Sequence, residues 1–384
     1  MRKILRSLVF SMLSILPVKK RILLESHPDL TGNTYQVYQE MLKNGLNDEY
    51  ELTWFVLDVD KYNHIKVKNV FFREYTPSSK FRKLKNLFYI ARSSLILDEN
   101  KMIIKVNKKT KRIFLNHGTL LKNVKGIYSP GRNADHVIIA SEGMSDIYVD
   151  CFDIDKEQIK VLGAPRNDVL FKNNIFKWNE LIPSYQNEKV IIWMPTFRQH
   201  KQNRIDSINT LPLGVPIIYS IRDFEIINTL AKQYNIFLLL KLHPAQDLSY
   251  LKIKDLSNVK IILEEQFRSI NKELYEILPH TDALITDYSS IYFDYLLLNK
   301  PVAFTNDDIE SYKLGFVFDD LENVLIGSKL SNLEDLKSFM NNIYLETDEF
   351  VEKRAEVNKY FNTYQDNQSA KRVYNLVLEC LTES

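Results

Sequence analysis

Asp282-Ala283-Leu284-Ile285-Thr286-Asp287-Tyr288-Ser289-Ser290-Ile291-Tyr292-Phe293-Asp294-Tyr295 is the stretch whose reading decides the fold of this 384-residue chain. Ala283 to Ile285 is a short apolar run of the kind that forms a buried parallel strand. Thr286 to Ser290 is polar, and from Ile291 onward Ile291, Tyr295 and Leu298 recur at helical spacing. Strand, tight turn and helix are therefore expected, with Ser289 or Ser290 at the helix start. A helix starting there aims unpaired N–H groups and a positive dipole end past the strand, where two hydroxyls join them. That is a place for phosphate. The plainer reading, serines that only cap a helix, is weighed against it by what the rest of the chain supplies.

Outward from this stretch the pattern repeats. Toward the N-terminus, Arg21–Ser26, Leu52–Leu57, Leu95–Leu97, Ile113–Leu115, Val137–Ala140 and Ile159–Leu162 are short apolar runs, with helical patterns such as Gly32–Leu42, Phe81–Ala91 and Glu142–Cys151 between several of them. Lys172 to Glu188 is polar and aperiodic, which marks a linker. A second alternating series follows it, through Val190–Met194, Ile236–Leu242, Val259–Leu263 and Pro301–Phe304. Alternation of this kind predicts α/β architecture with doubly wound parallel sheets. The expected division is a segment 1–20, a first Rossmann-like domain 21–180 and a second 181–384, facing each other across a cleft with ligands at the strands' carboxyl ends.

Composition excludes some classes. Apolar content of 45% and charged content of 26%, with ten Gly and twelve Pro, describe a globular protein rather than a disordered or repetitive one. Cys151 and Cys380 match no zinc spacing and suggest a reducing compartment. No metal-ligand cluster stands out and no cofactor is implied. The net charge of +2 hides an uneven distribution: Lys101 to Ala134 holds nine Lys or Arg and no acid. Without a reader motif or interleaved aromatics, that stripe does not indicate nucleic acid.

Residues Ser7 to Val18 form an apolar stretch between basic clusters. It is shorter than the roughly 20 apolar residues a spanning helix needs. As a helix it would gather Leu5, Leu8, Val9, Met12, Ile15 and Leu16 on one face. The expectation is an amphipathic, membrane-associated helix lying in the interface, with the protein peripheral on the cytoplasmic face; a helix packed on its own domain is the alternative.

Four strand ends carry groups suited to chemistry. Ile113–Leu115 leads to Asn116-His117-Gly118-Thr119, and Val190–Met194 to Pro195-Thr196-Phe197-Arg198. Leu238–Leu240 leads to Lys241-Leu242-His243-Pro244, and Ile285 to Asp287-Tyr288-Ser289-Ser290. Arg198, Lys241 and a helix start can neutralise a diphosphate. A histidine, such as His117 or His243, can accept a hydroxyl proton near neutral pH. Gly118 would allow close approach to the backbone, and the basic surroundings, Lys122 included, favour an anionic acceptor.

These motifs together resemble the CDP-glycerol glycerophosphotransferase family, the teichoic acid primases and polymerases. The resemblance rests on His117-Gly118-Thr119 with a basic residue at Lys122, on Gly163 to Asp168, on Pro195 to Arg198 and on Leu242 to Pro244. Thr286 to Tyr295, the acidic Asp307 to Glu310 and Gly315 to Asp319 complete it, in order, over nearly the whole chain from Ile22. Leu120 stands where the family usually has proline, and Gln199 where it often has an acid.

The resemblance implies a GT-B-like fold and a CDP-glycerol or CDP-ribitol donor. It implies a membrane-anchored, lipid-linked anionic acceptor, with release of CMP. It implies His117 as base, and His243 beside the diphosphate. Donor contacts would come from Arg198, Lys241, Asp287, Ser289 and Ser290, with Asp308 or Glu310 at the ribose. Acceptor contacts would come from Gly118, Thr119 and Lys122. A GT-B sugar transferase using a nucleotide sugar is the nearest alternative; a non-catalytic scaffold binding envelope lipids is another.

Overall fold

The computed structural model describes residues 11–127, 129, 133–196, 211–242, 256–305, 309, 312 and 314–383. The chain divides into two compact units: Met1–Gly118 with Val124–Phe171 and Thr363–Ser384, and Thr119–Asn123 with Lys172–Asn362.

Among the described residues the first unit is built on seven strands: β1 (Lys19–Glu25), β2 (Glu51–Val56), β3 (Val70–Glu74), β4 (Ser93–Asp98), β5 (Lys111–Phe114), β6 (His136–Ile139) and β7 (Ile159–Val161). They pair in parallel in the order β3-β2-β1-β4-β5-β6-β7. Central β1 and β4 are buried on both faces, whereas edge strand β3 buries only Val70. That gradient is what parallel sheets covered by helices require. Helix α1 (Gly32–Lys43) follows β1 and packs through Val37, Tyr38 and Met41 on Ile22, Trp54 and Leu95. Helix α2 (Lys80–Ala91) crosses from β3 to β4, and α3 (Ser145–Phe152) from β6 to β7.

The second unit carries six strands among the described residues: β8 (Lys189–Trp193), β9 (Ile236–Lys241), β10 (Val259–Ile262), β11 (Ala283–Thr286), β12 (Val302–Thr305) and β13 (Ser328–Leu330). Their order is β10-β9-β8-β11-β12-β13, again all parallel. Helix α4 (Ile221–Gln233) joins β8 to β9; α5 (Glu264–Ser269) and α6 (Leu274–Ile277) lie between β10 and β11; α7 (Ile291–Tyr295) follows β11. The closing helices are α8 (Leu333–Leu345), α9 (Val351–Phe361) and α10 (Ser369–Thr382). The α/β reading with parallel sheets holds.

Two sequence expectations need correction. Helix α10, placed by sequence in the second domain, belongs to the first unit, where Val373, Leu376 and Val377 join the core of Ile22, Trp54 and Leu97. Asp168 fixes its start by accepting from the N–H groups of Ser369 (2.9 Å) and Ala370 (2.8 Å). Gly163 lets it come close, since a Cβ there would lie 2.3 Å from Ser369 Oγ.

The expected amphipathic membrane helix, of which Leu5, Leu8 and Val9 lie outside the described residues, is not supported by the part that is described. Helical turns end at Leu13, β1 begins at Lys19, and Leu13 and Leu16 pack against Ala91 and Val106 of the same unit. An apolar side chain gains more from a ready protein core than from an interface it must reach alone. Among the described residues no helix is long and apolar enough to cross a membrane.

Candidate functional site

Each sheet has one topological switch point, where neighbouring strands continue in opposite directions through the sheet. In the first unit it lies between β1 and β4, in the second between β8 and β11. The crevice outside the carboxyl ends of such strands is where open α/β sheets build their sites.

At the first switch point β1 ends in Glu25 and β4 runs into Asp98 and Glu99, with the His117 loop following neighbouring β5. Asn116 adopts φ +53°, a left-handed conformation that asparagine tolerates, and turns the chain sharply after the strand. Its side chain accepts from the His117 N–H (2.9 Å) and donates to the Gly118 carbonyl (2.9 Å) and Tyr148 Oη (2.7 Å). Tyr148 Oη also donates to the Gly118 carbonyl (3.1 Å). Asn33, at the start of α1, donates to the carbonyls of Asn116 (2.6 Å) and Leu115 (3.4 Å) and accepts from the Arg166 N–H (2.9 Å). The Arg166 guanidinium donates to the His117 carbonyl. The backbone beneath the imidazole is thereby fixed from three elements.

The His117 ring itself donates to the Glu99 backbone carbonyl and reaches solvent. Loss of hydration, then the nearby Arg166 cation, pushes its pKa down to about 4, against the Glu99 hydrogen bond. At neutral pH the ring is neutral, with one nitrogen engaged as donor and the other able to accept a proton. Below it lie two buried carboxyl groups. Glu99 receives the Thr34 N–H (2.9 Å), and burial pushes it up to about 8. Glu25 receives the N–H groups of Asn100 (3.1 Å) and Lys101 (3.0 Å), and burial pushes it up to about 7. Asp98 is held in a bidentate pair with Arg112, itself buried (Nη2–Oδ2 2.9 Å).

That last pair changes the meaning of the basic stripe. Arg112 is buried against Asp98, Lys105 pairs with Asp135, Lys111 with Glu383 and Lys125 with Asp150. The acids come from elsewhere in the chain, so a stripe in sequence is not a single positive surface in space.

At the second switch point Ser289 and Ser290 precede α7, as the sequence suggests. Ser290 makes no capping bond, and α7 tightens into a 3₁₀ turn after five residues. A helix that short contributes little macrodipole, so the hydroxyls and first-turn N–H groups are what it offers. Asp287 is buried; it accepts from the Thr196 N–H and Oγ1, each at 2.7 Å, and so ties the end of β8 to the end of β11. Lys241, at the end of β9, pairs with Glu264 (3.2 Å). Arg198, His243, Asp308 and Glu310 lie outside the described residues.

Thr119 and Lys122, expected with the acceptor, belong to the second unit. Their segment pairs with Gly315–Val317 (Asn123 N–H to Gly315 O, 3.0 Å; Val317 N–H to Leu121 O, 2.9 Å). Lys122 Nζ sits 5.2 Å from the ring centre of Tyr288 and 5.3 Å from that of Tyr312, a cation–π arrangement beside Ser289.

Sequence reasoning missed Glu25, Asn33 and Glu99. The signal was present: β1 and β4 end in Glu25-Ser26 and Asp98-Glu99, and these two carboxyl ends were not read for chemistry as the other four were. Among the described residues no group of three His, Cys, Asp or Glu is placed to hold a metal ion.

Two doubly wound units with polar switch points form an α/β protein of the class that builds its ligand sites at the strands' carboxyl ends. The chain belongs to the family described as CDP-Glycerol:Poly(glycerophosphate) glycerophosphotransferase, whose profile matches residues 8–379. It is 29% identical over 267 residues to the teichoic acid glycerol-phosphate primase of Bacillus subtilis, covering 67% of this chain and 60% of that protein. It is 24% identical over 401 residues to the teichoic acid ribitol-phosphate polymerase TarK of Staphylococcus aureus, covering 97% of this chain and 71% of that one. The chain thus spans about 60% of the length of the primase it matches. The solved structure of the wall teichoic acid polymerase TagF superposes with a TM-score of 0.73 at 19% identity, over 100% of this chain and 98% of that one. That likeness shows the fold.

Proposed function

We propose that the protein transfers a polyol phosphate, glycerol phosphate in the simplest case, from a CDP-linked donor to a hydroxyl of a membrane-anchored acceptor at the cytoplasmic face. The reading rests above all on a family match that runs through both switch points. The polymer would be a teichoic acid or a related envelope polymer, and the fold GT-B-like.

In this reading the acceptor oxygen attacks the β-phosphorus of the donor. One O–P bond forms, the bond from that phosphorus to the bridging oxygen breaks, and CMP leaves with the electron pair. The proton passes to His117, whose neutral ring at pH 7 suits a base. Ser289, Ser290 and Lys241 receive the diphosphate, with Arg198 and His243 completing the set and Asp308 or Glu310 at the ribose. Lys122, held over Tyr288, joins this donor group rather than the acceptor group. Asp287 acts by holding Thr196. Gly118 and the Asn116 turn stay with the acceptor. Positioning and charge neutralisation carry the chemistry, as in phosphoryl transfer generally.

The test is turnover by purified protein offered CDP-glycerol, CDP-ribitol or UDP-sugars with a glycerol phosphate-primed lipid acceptor. Release of CMP with product mass increased by one polyol phosphate supports the reading. UDP release from a sugar donor, or no turnover of any donor, overturns it.

A further inference from the structure

The lysine at the end of β9 already holds an anion supplied by the chain itself. Lys241 Nζ lies 3.2 Å from Glu264 Oε2, and the two side chains are only 9% and 21% exposed. The pairing follows from the sheet. Ile262 of β10 stands beside Lys241 of β9 in parallel register, and the chain leaves β10 through Leu263 into α5, of which Glu264 is the first residue. The Gln266 side chain accepts from the Leu263 N–H (2.6 Å) and fixes that turn. Glu264 is thereby delivered to the carboxyl rim of the second sheet, the rim on which the serine turn stands.

Register also places Lys241 near that turn. Trp193 of β8 is level with Leu240 of β9 and with Ile285 of β11, so Lys241, Met194 and Thr286 lie side by side at the rim. Two strand spacings, about 10 Å, separate Lys241 from Thr286. A lysine side chain and a diphosphate together span that distance. For a phosphate to use Lys241, the Glu264 contact has to be given up or shared, and that opposes binding by the strength of the pair. The carboxylate has another cation to turn to: Arg268 lies at the i,i+4 position of α5, on the face of Glu264. Arg268 and Lys172 both bear electrostatically on Glu273 in the same corner of the rim.

We propose that Glu264 is an exchange partner for Lys241: the lysine passes from the glutamate to the donor diphosphate as the donor binds, and returns as the nucleotide product leaves. Glu264 acts through Lys241 and is a positioning residue that sets how tightly the diphosphate is held. A carboxylate that competes for the lysine weakens the hold on donor and product alike. That suits a transferase, which has to release a phosphate product after every transfer. The exchange deepens the transferase reading and rests on it for the identity of the anion, a nucleoside diphosphate ester.

The experiment is calorimetry of the full chain with inorganic pyrophosphate and with CDP-glycerol. The variants are Glu264→Gln, Lys241→Met and the two combined, with folding checked by thermal melting. Glu264→Gln should bind both ligands on the order of tenfold more tightly than the wild type, since a partly buried carboxylate no longer competes for the lysine. Lys241→Met should bind them roughly tenfold to a hundredfold more weakly, the cost of a lost hydrogen bond to a charged group. The double variant should match Lys241→Met, because the glutamate acts only through the lysine. Unchanged or weaker pyrophosphate binding by folded Glu264→Gln would make the glutamate a support for Lys241 and overturn the exchange. Equal tightening with and without Lys241 would reduce it to a general effect of charge, and overturns it too.

CMP release from CDP-glycerol in the presence of a glycerol phosphate-primed acceptor keeps the two readings apart. If the wild type shows none while the pyrophosphate pattern holds, the transferase reading fails and the exchange stands. If the wild type turns over and folded Glu264→Gln binds pyrophosphate no more tightly than it does, the exchange fails and the enzyme stands.

Discussion

The guanidinium of Arg166 donates a hydrogen bond to the backbone carbonyl of His117. The backbone N–H of Arg166 donates to the side-chain oxygen of Asn33, which also grips the Asn116 carbonyl through its amide nitrogen (2.6 Å). A loop fixed this way presents the imidazole in one place. Arg166→Ala should lower kcat on the order of 10²-fold, the scale of a misplacement near 1 Å, and leave donor affinity unchanged. Arg166→Lys should recover part of the rate. Donor affinity falling with rate would move Arg166 from the loop to the donor.

His117→Ala should lower turnover by about 10²- to 10⁴-fold while the CDP donor still binds, the range for general-base catalysis. The pH profile adds a second check. A ring whose pKa is pushed down to about 4 stays neutral through the mildly acidic range. The acid limb of kcat/KM should therefore fall near pH 4 rather than near 6.5. An acid limb centred at the ordinary histidine value would show that the ring is not desolvated as described.

Ser290 stands before a helix of five residues and caps none of it. Its hydroxyl is assigned to a donor phosphate, so Ser290→Ala should weaken CDP-glycerol binding by on the order of 1–3 kcal/mol, the cost of a lost bond to a charged group. Thermal stability should change little, because no capping bond is removed. Calorimetry with unchanged affinity would take Ser290 out of the donor site.

The strand–turn–helix reading of Asp282–Tyr295 was legible because period and polarity change sharply at Thr286. The strands around it were legible because runs such as Ile236–Lys241 are buried throughout. What sequence could not carry was long-range pairing. Lys105, Lys111, Arg112 and Lys125 read as one basic stripe until Asp135, Glu383, Asp98 and Asp150 are seen beside them. Lys122 read as part of the His117 loop, yet five residues on from that histidine the chain already belongs to another unit. Helix α10 returns to the first sheet through the Asp168 cap, a contact about 200 residues apart in the chain that no local pattern announces. Glu25 and Glu99 were legible in principle, since they end strands.

Gly32 tests how tightly that acidic floor is built. It has φ +71°, and a Cβ there would lie 2.4 Å from Glu99 Oε1. Glu99 cannot simply swing aside, because it is buried and accepts from the Thr34 N–H at 2.9 Å. Gly32→Ala should cost on the order of 1–3 kcal/mol from backbone strain, before the displaced carboxyl is counted. A melting temperature equal to wild type would mean that the floor can rearrange freely.

The same two acids set a pH dependence of stability. Burial raises Glu99 to about 8 and Glu25 to about 7, from 4.5. A raised carboxyl binds more protons folded than unfolded between its two pKa values. Its contribution is therefore fully present below pH 4.5 and is lost as pH rises through 7 and 8. His117 has the opposite sign: lowered from 6.5 to about 4, its contribution is present above 6.5 and lost as pH falls through 4. Between pH 6.5 and 8 the histidine term is nearly constant and the carboxyl terms dominate. The melting temperature should thus rise as pH is lowered from 8 to 6.5. Glu99→Gln keeps the shape and removes the titration, so it should flatten that slope. A wild-type slope of the opposite sign, or one that Glu99→Gln leaves intact, would show that these carboxyls are ionised in the folded protein at neutral pH.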